Sequence, residues 1–158
     1  EYNFRFLTLG EGTGGRPVPE DVYDPCYDYE GEIGQRCVGI LPLWWRAILF
    51  PDEPTTAVFS WLGDKCQNLP QELQHYKAGC FRSIGFVAAT TQDADASLIE
   101  QSCRAASAGK DNFLQCMFYA SVGVQNKSDI ETGLSVCKRL SAEDQPACEY
   151  YVSSVPLI

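Results

Sequence analysis

Eight cysteines carry most of the potential chemistry in this sequence: Cys26, Cys37, Cys66, Cys80, Cys103, Cys116, Cys137 and Cys148. Thiols at such density ligate metal, serve as nucleophiles or pair as disulfides. Zinc sites draw their ligands in close pairs such as C-x2-C, and the nearest two cysteines here lie eleven positions apart. A nucleophilic cysteine needs a base, and His75, between Gln74 and Tyr76, is the single histidine of the chain. An even number of well-spaced cysteines instead suits four disulfides, which persist in oxidising compartments. The expected location is therefore extracytoplasmic, either secreted or at the cell surface. The start at Glu1 without a methionine fits removal of a signal peptide or of an anchoring segment.

The remaining candidates are weaker. Glu20, Asp21, Asp24, Asp28, Glu30 and Glu32 surround Cys26, and oxygen-rich loops hold calcium, but this spacing fits no EF-hand loop. A solvated acidic surface is the better reading. Gly10, Gly12, Gly14 and Gly15 resemble a phosphate loop without its lysine or the helix that follows it, so a flexible turn is expected. G-x-S-x-G, P-loop and H-E-x-x-H patterns are all absent. No enzyme activity, metal or cofactor is therefore expected. Asn126-Lys127-Ser128 is an N-glycosylation sequon, relevant in a eukaryotic secretory pathway. Twelve Lys and Arg stand against 21 Asp and Glu, a net charge of −9 that phosphate backbones repel, so nucleic acid is not an expected partner. With 45% hydrophobic residues, the 158-residue chain can bury one core. No apolar run spans a bilayer, so membrane contact is expected only through a segment upstream of Glu1.

Residues 1–40 and 41–158 read differently. The first stretch is rich in Gly and Pro and predicts turns, loops and short strands. Tyr2, Phe4 and Phe6 alternate with Asn3 and Arg5, a period of two that predicts a strand over residues 1–9. From Pro42 the period becomes helical. Pro42 starts a helix that Pro51 stops, and Pro54 and Pro70 open the next two. Asp93 or Asp95 caps a fourth helix, and 110–123 forms a fifth, apolar nearly all round and hence central. Ser128-Asp129-Ile130-Glu131 is a capping-box pattern for a sixth helix reaching Leu140, and Ser141 caps a seventh.

The cysteines also reveal a repeat. Cys66, Cys103 and Cys137 are spaced by 37 and 34 residues, while Cys80, Cys116 and Cys148 are spaced by 36 and 32. Two interleaved series with a period near 35 suit stacked pairs of short helices. In an antiparallel hairpin, Cys103 near the end of one helix and Cys116 near the start of the next lie at similar depth. Cys137 and Cys148 flank the Ser141 turn in the same way, and Cys66 and Cys80 flank the Pro70 turn less neatly. Cys26 and Cys37 close an acidic loop of their own. The expected pairs are therefore Cys26–Cys37, Cys66–Cys80, Cys103–Cys116 and Cys137–Cys148. The predicted fold is mainly α, a short array of disulfide-linked antiparallel helical hairpins with an irregular, partly β N-terminal segment.

On these features residues 66–153 resemble a secreted, disulfide-stapled version of a tetratricopeptide-like helical-hairpin array. They are also similar to exported bacterial proteins that repeat a cysteine followed, a turn or two later, by glycine, as in Cys80-Phe-Arg-Ser-Ile-Gly85. The resemblance implies a protein-binding or scaffolding role and brings no catalytic residues with it.

Candidate interaction residues are Tyr2, Phe4, Phe6, Trp44 and Trp45. Adjacent helical positions lie about 100° apart, so Trp44 and Trp45 cannot both face a single covered side. One packs inward, while the other reaches a partner subunit, a ligand or a membrane surface or is partly buried under the N-terminal segment. The strand at 1–9 adds to a neighbouring subunit or pairs locally with residues near Val38–Leu41. The expected function is an exported structural or protein-interaction module, as in a subunit of a cell-surface or extracellular assembly, acting through a protein partner or self-association. The alternative is a secreted helical carrier of a small apolar ligand, held among Phe113, Met117, Phe118 and Tyr119. Insect-type odorant carriers are such proteins, but their C-x3-C spacing is absent here.

Overall fold

The computed structural model describes residues 20–51 and 55–154. Among them are seven α-helices and two 3-10 turns, with no strand. Helices α2 (Thr56–Gln67), α4 (Ala96–Ala106) and α6 (Ile130–Cys137) lie side by side in one layer. Helices α1 (Gly31–Leu49), α3 (Lys77–Thr91), α5 (Lys110–Lys127) and α7 (Gln145–Ser154) form the other. The α3–α5 pair makes the most extensive contact.

All eight cysteines are paired, as Cys26–Cys37, Cys66–Cys80, Cys103–Cys116 and Cys137–Cys148. The last three bonds join the final turn of a helix in the first layer to the first or second turn of its successor, with Cα atoms 5.6 Å apart. Cys26 and Cys37 repeat this relation, because Cys26 opens a 3-10 turn (Cys26–Asp28) and Cys37 sits in the second turn of α1. The first unit of the array thus has a 3-10 turn where the others have a helix. Every half-cystine is 0–1% exposed, so the staples form part of the core. Four intramolecular disulfides point to an oxidising, extracytoplasmic environment.

Helix α1 departs most from expectation. Pro42 does not start it but lies inside it, buried. A proline there removes one helical donor and crowds the preceding turn, at about 3 kcal/mol. Burial of Val38, Leu41, Trp44 and Trp45 around it, together with the Cys26–Cys37 staple, offsets that cost. The glycine-rich stretch 31–40 is therefore helical, and the boundary expected at residues 40 and 41 falls within α1. Gly31 opens the helix at φ +58°, in the left-handed region that favours glycine. Val38–Leu41 are helical and so do not offer a strand partner. The strand expected at 1–9, with Tyr2, Phe4 and Phe6, lies outside the described residues.

Neither Trp44 nor Trp45 is available to a partner, for they are 2% and 0% exposed. The inference that one must point outward assumed a single covered side. Instead α1 packs on α3, while residues 20–30 and α2 close over another side. The Trp45 indole N–H donates to the Val22 carbonyl at 2.9 Å, and its ring meets Tyr23 and Trp61 edge-on at 5.8 and 5.7 Å.

Other boundaries shift by local chemistry. Pro70 precedes a 3-10 turn (Gln71–Tyr76) that leads into α3. Asp95 caps α4, its carboxylate accepting from the backbone N–H groups of Ser97 and Leu98 at 2.8 and 3.0 Å. Asp129 rather than Ser128 caps α6, accepting from the Thr132 N–H at 2.7 Å, and Ser128 ends α5 instead. Helix α6 stops at Cys137, short of Leu140, and the Ser141 carbonyl then accepts from Asp144 and Gln145 to begin α7.

One charged cluster ties neighbouring units together. Glu100 on α4 accepts from Arg104 one turn on at 2.9 Å, and from Arg139 beyond the end of α6 at 2.7 Å. Burial pushes its carboxyl up, but hydrogen bonds and charge from Arg104 and Arg139 outweigh that and hold it below its ordinary value. A lowered native pKa stabilises the fold above the unfolded-state value and ceases to do so as pH falls through the native one. Glu100→Gln should therefore lower the melting temperature at pH 7 and narrow the gap between the pH 7 and pH 3 melting temperatures. Thermal melts of both proteins across that range test this, and an unchanged gap would refute it.

Candidate functional site

Residues of α1 and α3, joined by Tyr119 of α5, line a surface groove made of two adjoining hollows. Toward the start of the helices it widens into a hollow of about 420 Å³, lined by Gln35, Gly39, Gly79, Arg82, Phe86 and Tyr119. Toward their ends is an apolar hollow of about 370 Å³, lined by Ile40, Leu43, Ala47, Phe86, Val87 and Thr90. Phe86 borders both, so the two hollows adjoin there, and the residue is 40% exposed.

The helical period places these residues together. Gly79, Arg82, Phe86 and Thr90 follow one another along one face of α3, as Gln35, Gly39, Leu43 and Ala47 do along α1. Side-chain size then keeps the groove open. A Cβ on Gly34, Gly63, Gly85, Gly123 or Gly133 would fall within 3 Å of a neighbouring atom, so packing accounts for those five. Gly39 has nothing within 4 Å of that position, and Gly79 has only Gln35, at 3.9 Å. Glycine within a helix costs about 1 kcal/mol relative to alanine. Packing does not demand these two, and both line the groove. Gly39→Ala should raise stability by about 0.5–1 kcal/mol in urea unfolding, and a loss of stability would show that the groove is closed there.

Glu32, Arg36 and Arg82 are the charged residues lining the first hollow and Arg46 borders the second; Glu32 and Arg36 pair with each other. The Arg82 Nε–H donates to Gln115 Oε1 at 2.6 Å, and its guanidinium lies 5.2 Å from the centre of the Tyr119 ring. Both partners come from α5 and neither is charged. Arg36, Arg104 and Arg139 each face a carboxylate, whereas Arg82 makes no ion pair among the described residues. The Tyr151 ring of α7 lies tilted against Tyr119, with ring centres 5.7 Å apart. Burial and the Tyr119 side chain push the Tyr151 phenol well above its ordinary pKa, against the opposing charge of Arg82.

The residues singled out from sequence are dispersed. His75 is exposed, tilted against Tyr76 with ring centres 3.7 Å apart, and lines a further hollow together with Gln35, Gly79 and Arg82. The acidic residues around Cys26 lie at the surface, and among the described residues no group of three His, Cys, Asp or Glu is placed to hold a metal. Phe113, Met117, Phe118 and Tyr119 do not line one cavity. Met117 is 0% exposed in the core, Phe113 lies under Arg104, and Phe118 and Tyr119 pack on Tyr151. Asn126 is exposed in the last turn of α5. Arg82, Phe86, Gly39 and Gly79 were not singled out. Their signal was the 3.6-residue spacing of a polar–aromatic–small set on an otherwise apolar helix.

Compared with known proteins, the chain matches no family model, no curated sequence and no solved structure. No helix among the described residues is long and apolar enough to cross a membrane.

Proposed function

We propose that this chain is an exported protein-interaction module, and that the groove between α1 and α3 takes a segment of its partner. The carrying observation is the pair of adjoining hollows along α1 and α3, with Phe86 exposed where they meet. Two of the four buried staples, Cys26–Cys37 and Cys66–Cys80, anchor the groove walls α1 and α3. Both walls are regular helices, so little order is lost on binding and the groove is preorganised. The tetratricopeptide-like resemblance of residues 66–153 agrees with such a role, as do their stacked helical pairs.

Phage-displayed random dodecapeptides panned on the oxidised chain test the reading. Gly39→Leu fills the groove at a position with free space around it, and should keep its four disulfides and melting temperature. Selected peptides should bind the parent at least about tenfold more tightly than Gly39→Leu. Equal binding to both would overturn the groove as the site. Light scattering at several concentrations then assigns the partner. A growing particle that Gly39→Leu disperses identifies a second copy, and a monomer identifies another protein.

A further inference from the structure

We infer that the segment taken by the groove carries a carboxylate beside a large apolar side chain, the carboxylate meeting Arg82 and the apolar group entering the hollow beyond Phe86. This rests on the groove being the docking site and adds the chemistry of what docks. The chain has net charge −9, and a docking surface in so acidic a protein would repel an acidic segment unless it held local positive charge. Arg82 provides that charge: Glu32 and Arg36 of the same hollow neutralise each other, while Gln115 and Tyr119 orient Arg82 without neutralising it. With Nε engaged by Gln115, the terminal nitrogens remain for an anion, and a carboxylate is the planar group that a guanidinium grips with two parallel hydrogen bonds. Ile40, Leu43, Ala47, Phe86 and Val87 give the neighbouring hollow mostly apolar walls, with Arg46 at its border, which suits an aliphatic or aromatic group.

The spacing of the two contacts sets the motif. Arg82 and Phe86 are one helical turn apart, about 6 Å along α3. An extended segment rises about 3.3 Å per residue, so its acidic and apolar residues would lie two apart. In a helical segment they would lie three or four apart.

The panned dodecapeptides should be enriched in Asp or Glu at one of those spacings from Leu, Ile, Phe or Met. Fluorescence anisotropy with one selected peptide and its Glu→Gln counterpart then forms a cycle with Arg82→Gln. Loss of a charge-assisted pair should weaken the acidic peptide about tenfold or more on Arg82→Gln, while the Glu→Gln peptide binds both proteins alike. Arg82→Lys keeps the charge without the fork and should restore only part of the affinity. Groove-dependent peptides without an acidic residue, or an acidic peptide indifferent to Arg82→Gln, would overturn this inference and leave the groove standing. Peptides indifferent to Gly39→Leu would overturn the groove itself. Circular dichroism and thiol counting on each variant confirm that loss of binding is not loss of fold.

Discussion

Full reduction is expected to unfold the chain. The four disulfides close loops of 11 to 14 residues, and each constrains the unfolded chain by about 3 kcal/mol. Together they contribute about 11–12 kcal/mol, within the range of the entire stability of an ordinary domain. Helices of eight to nineteen residues, several of them near the lower end, do not persist alone in water. Far-ultraviolet circular dichroism with excess reductant should therefore show loss of most helical signal once all eight thiols can be alkylated. Because the half-cystines are 0–1% exposed, reduction should be slow in buffer and fast in mild denaturant. Removing the central pair alone, as Cys103→Ala with Cys116→Ala, should cost about 3 kcal/mol or more. A reduced chain that keeps its helical spectrum and melting transition would show that the core, not the staples, holds the array.

Gly85→Ala should be nearly as damaging as losing a staple, although it adds one methyl group. Gly85 sits where α3 crosses α5, and a Cβ there would stand 2.1 Å from the Cys116 carbonyl oxygen and 2.9 Å from the Ala120 nitrogen. Both are backbone atoms in the middle of a helix, so no side chain can swing aside. The helices must separate along the most extensive contact of the protein. Overpacking of this kind costs about 1–3 kcal/mol or more, and here the strain falls beside the Cys103–Cys116 staple. A loss of about 3 kcal/mol in urea unfolding is expected. The same substitution at Gly39 should have the opposite sign, because nothing lies near that position. Equal effects at Gly85 and Gly39 would mean that the close crossing and the open groove are both misplaced.

These two glycines show what can be read from sequence alone. Both lie in helices and carry no local mark of difference, yet one is pressed against a backbone and the other faces open space. The cysteine map was legible because hairpin geometry limits which residues meet, and helix ends constrain depth through spacing alone. Helices α2 to α7 were legible from period and punctuation, with shifts of a few residues where a cap was displaced, as from Ser128 to Asp129. Of helix α1 only the part from Pro42 was legible, since Pro42 and three glycines argue locally against the helical turns before it, which burial and a staple enforce. The burial of both Trp44 and Trp45 follows from a helix covered on more than one side, which the sequence does not display. The groove was hidden for a related reason. Helix α3 is apolar nearly all round, so which of its faces stays uncovered depends on where α1 and α5 fall. Arg82 and Phe86 become notable only once their neighbours are known.

The central claim is that the α1–α3 groove is where this module holds a partner, and backbone amide shift mapping by NMR tests it most directly. A groove-selected dodecapeptide is titrated into the oxidised, isotope-labelled chain. The amide shifts should concentrate in residues 32–47 and 79–91, with a smaller set near Tyr119. Shifts confined to α6 and α7, or spread evenly over the chain, would contradict the account and place recognition elsewhere.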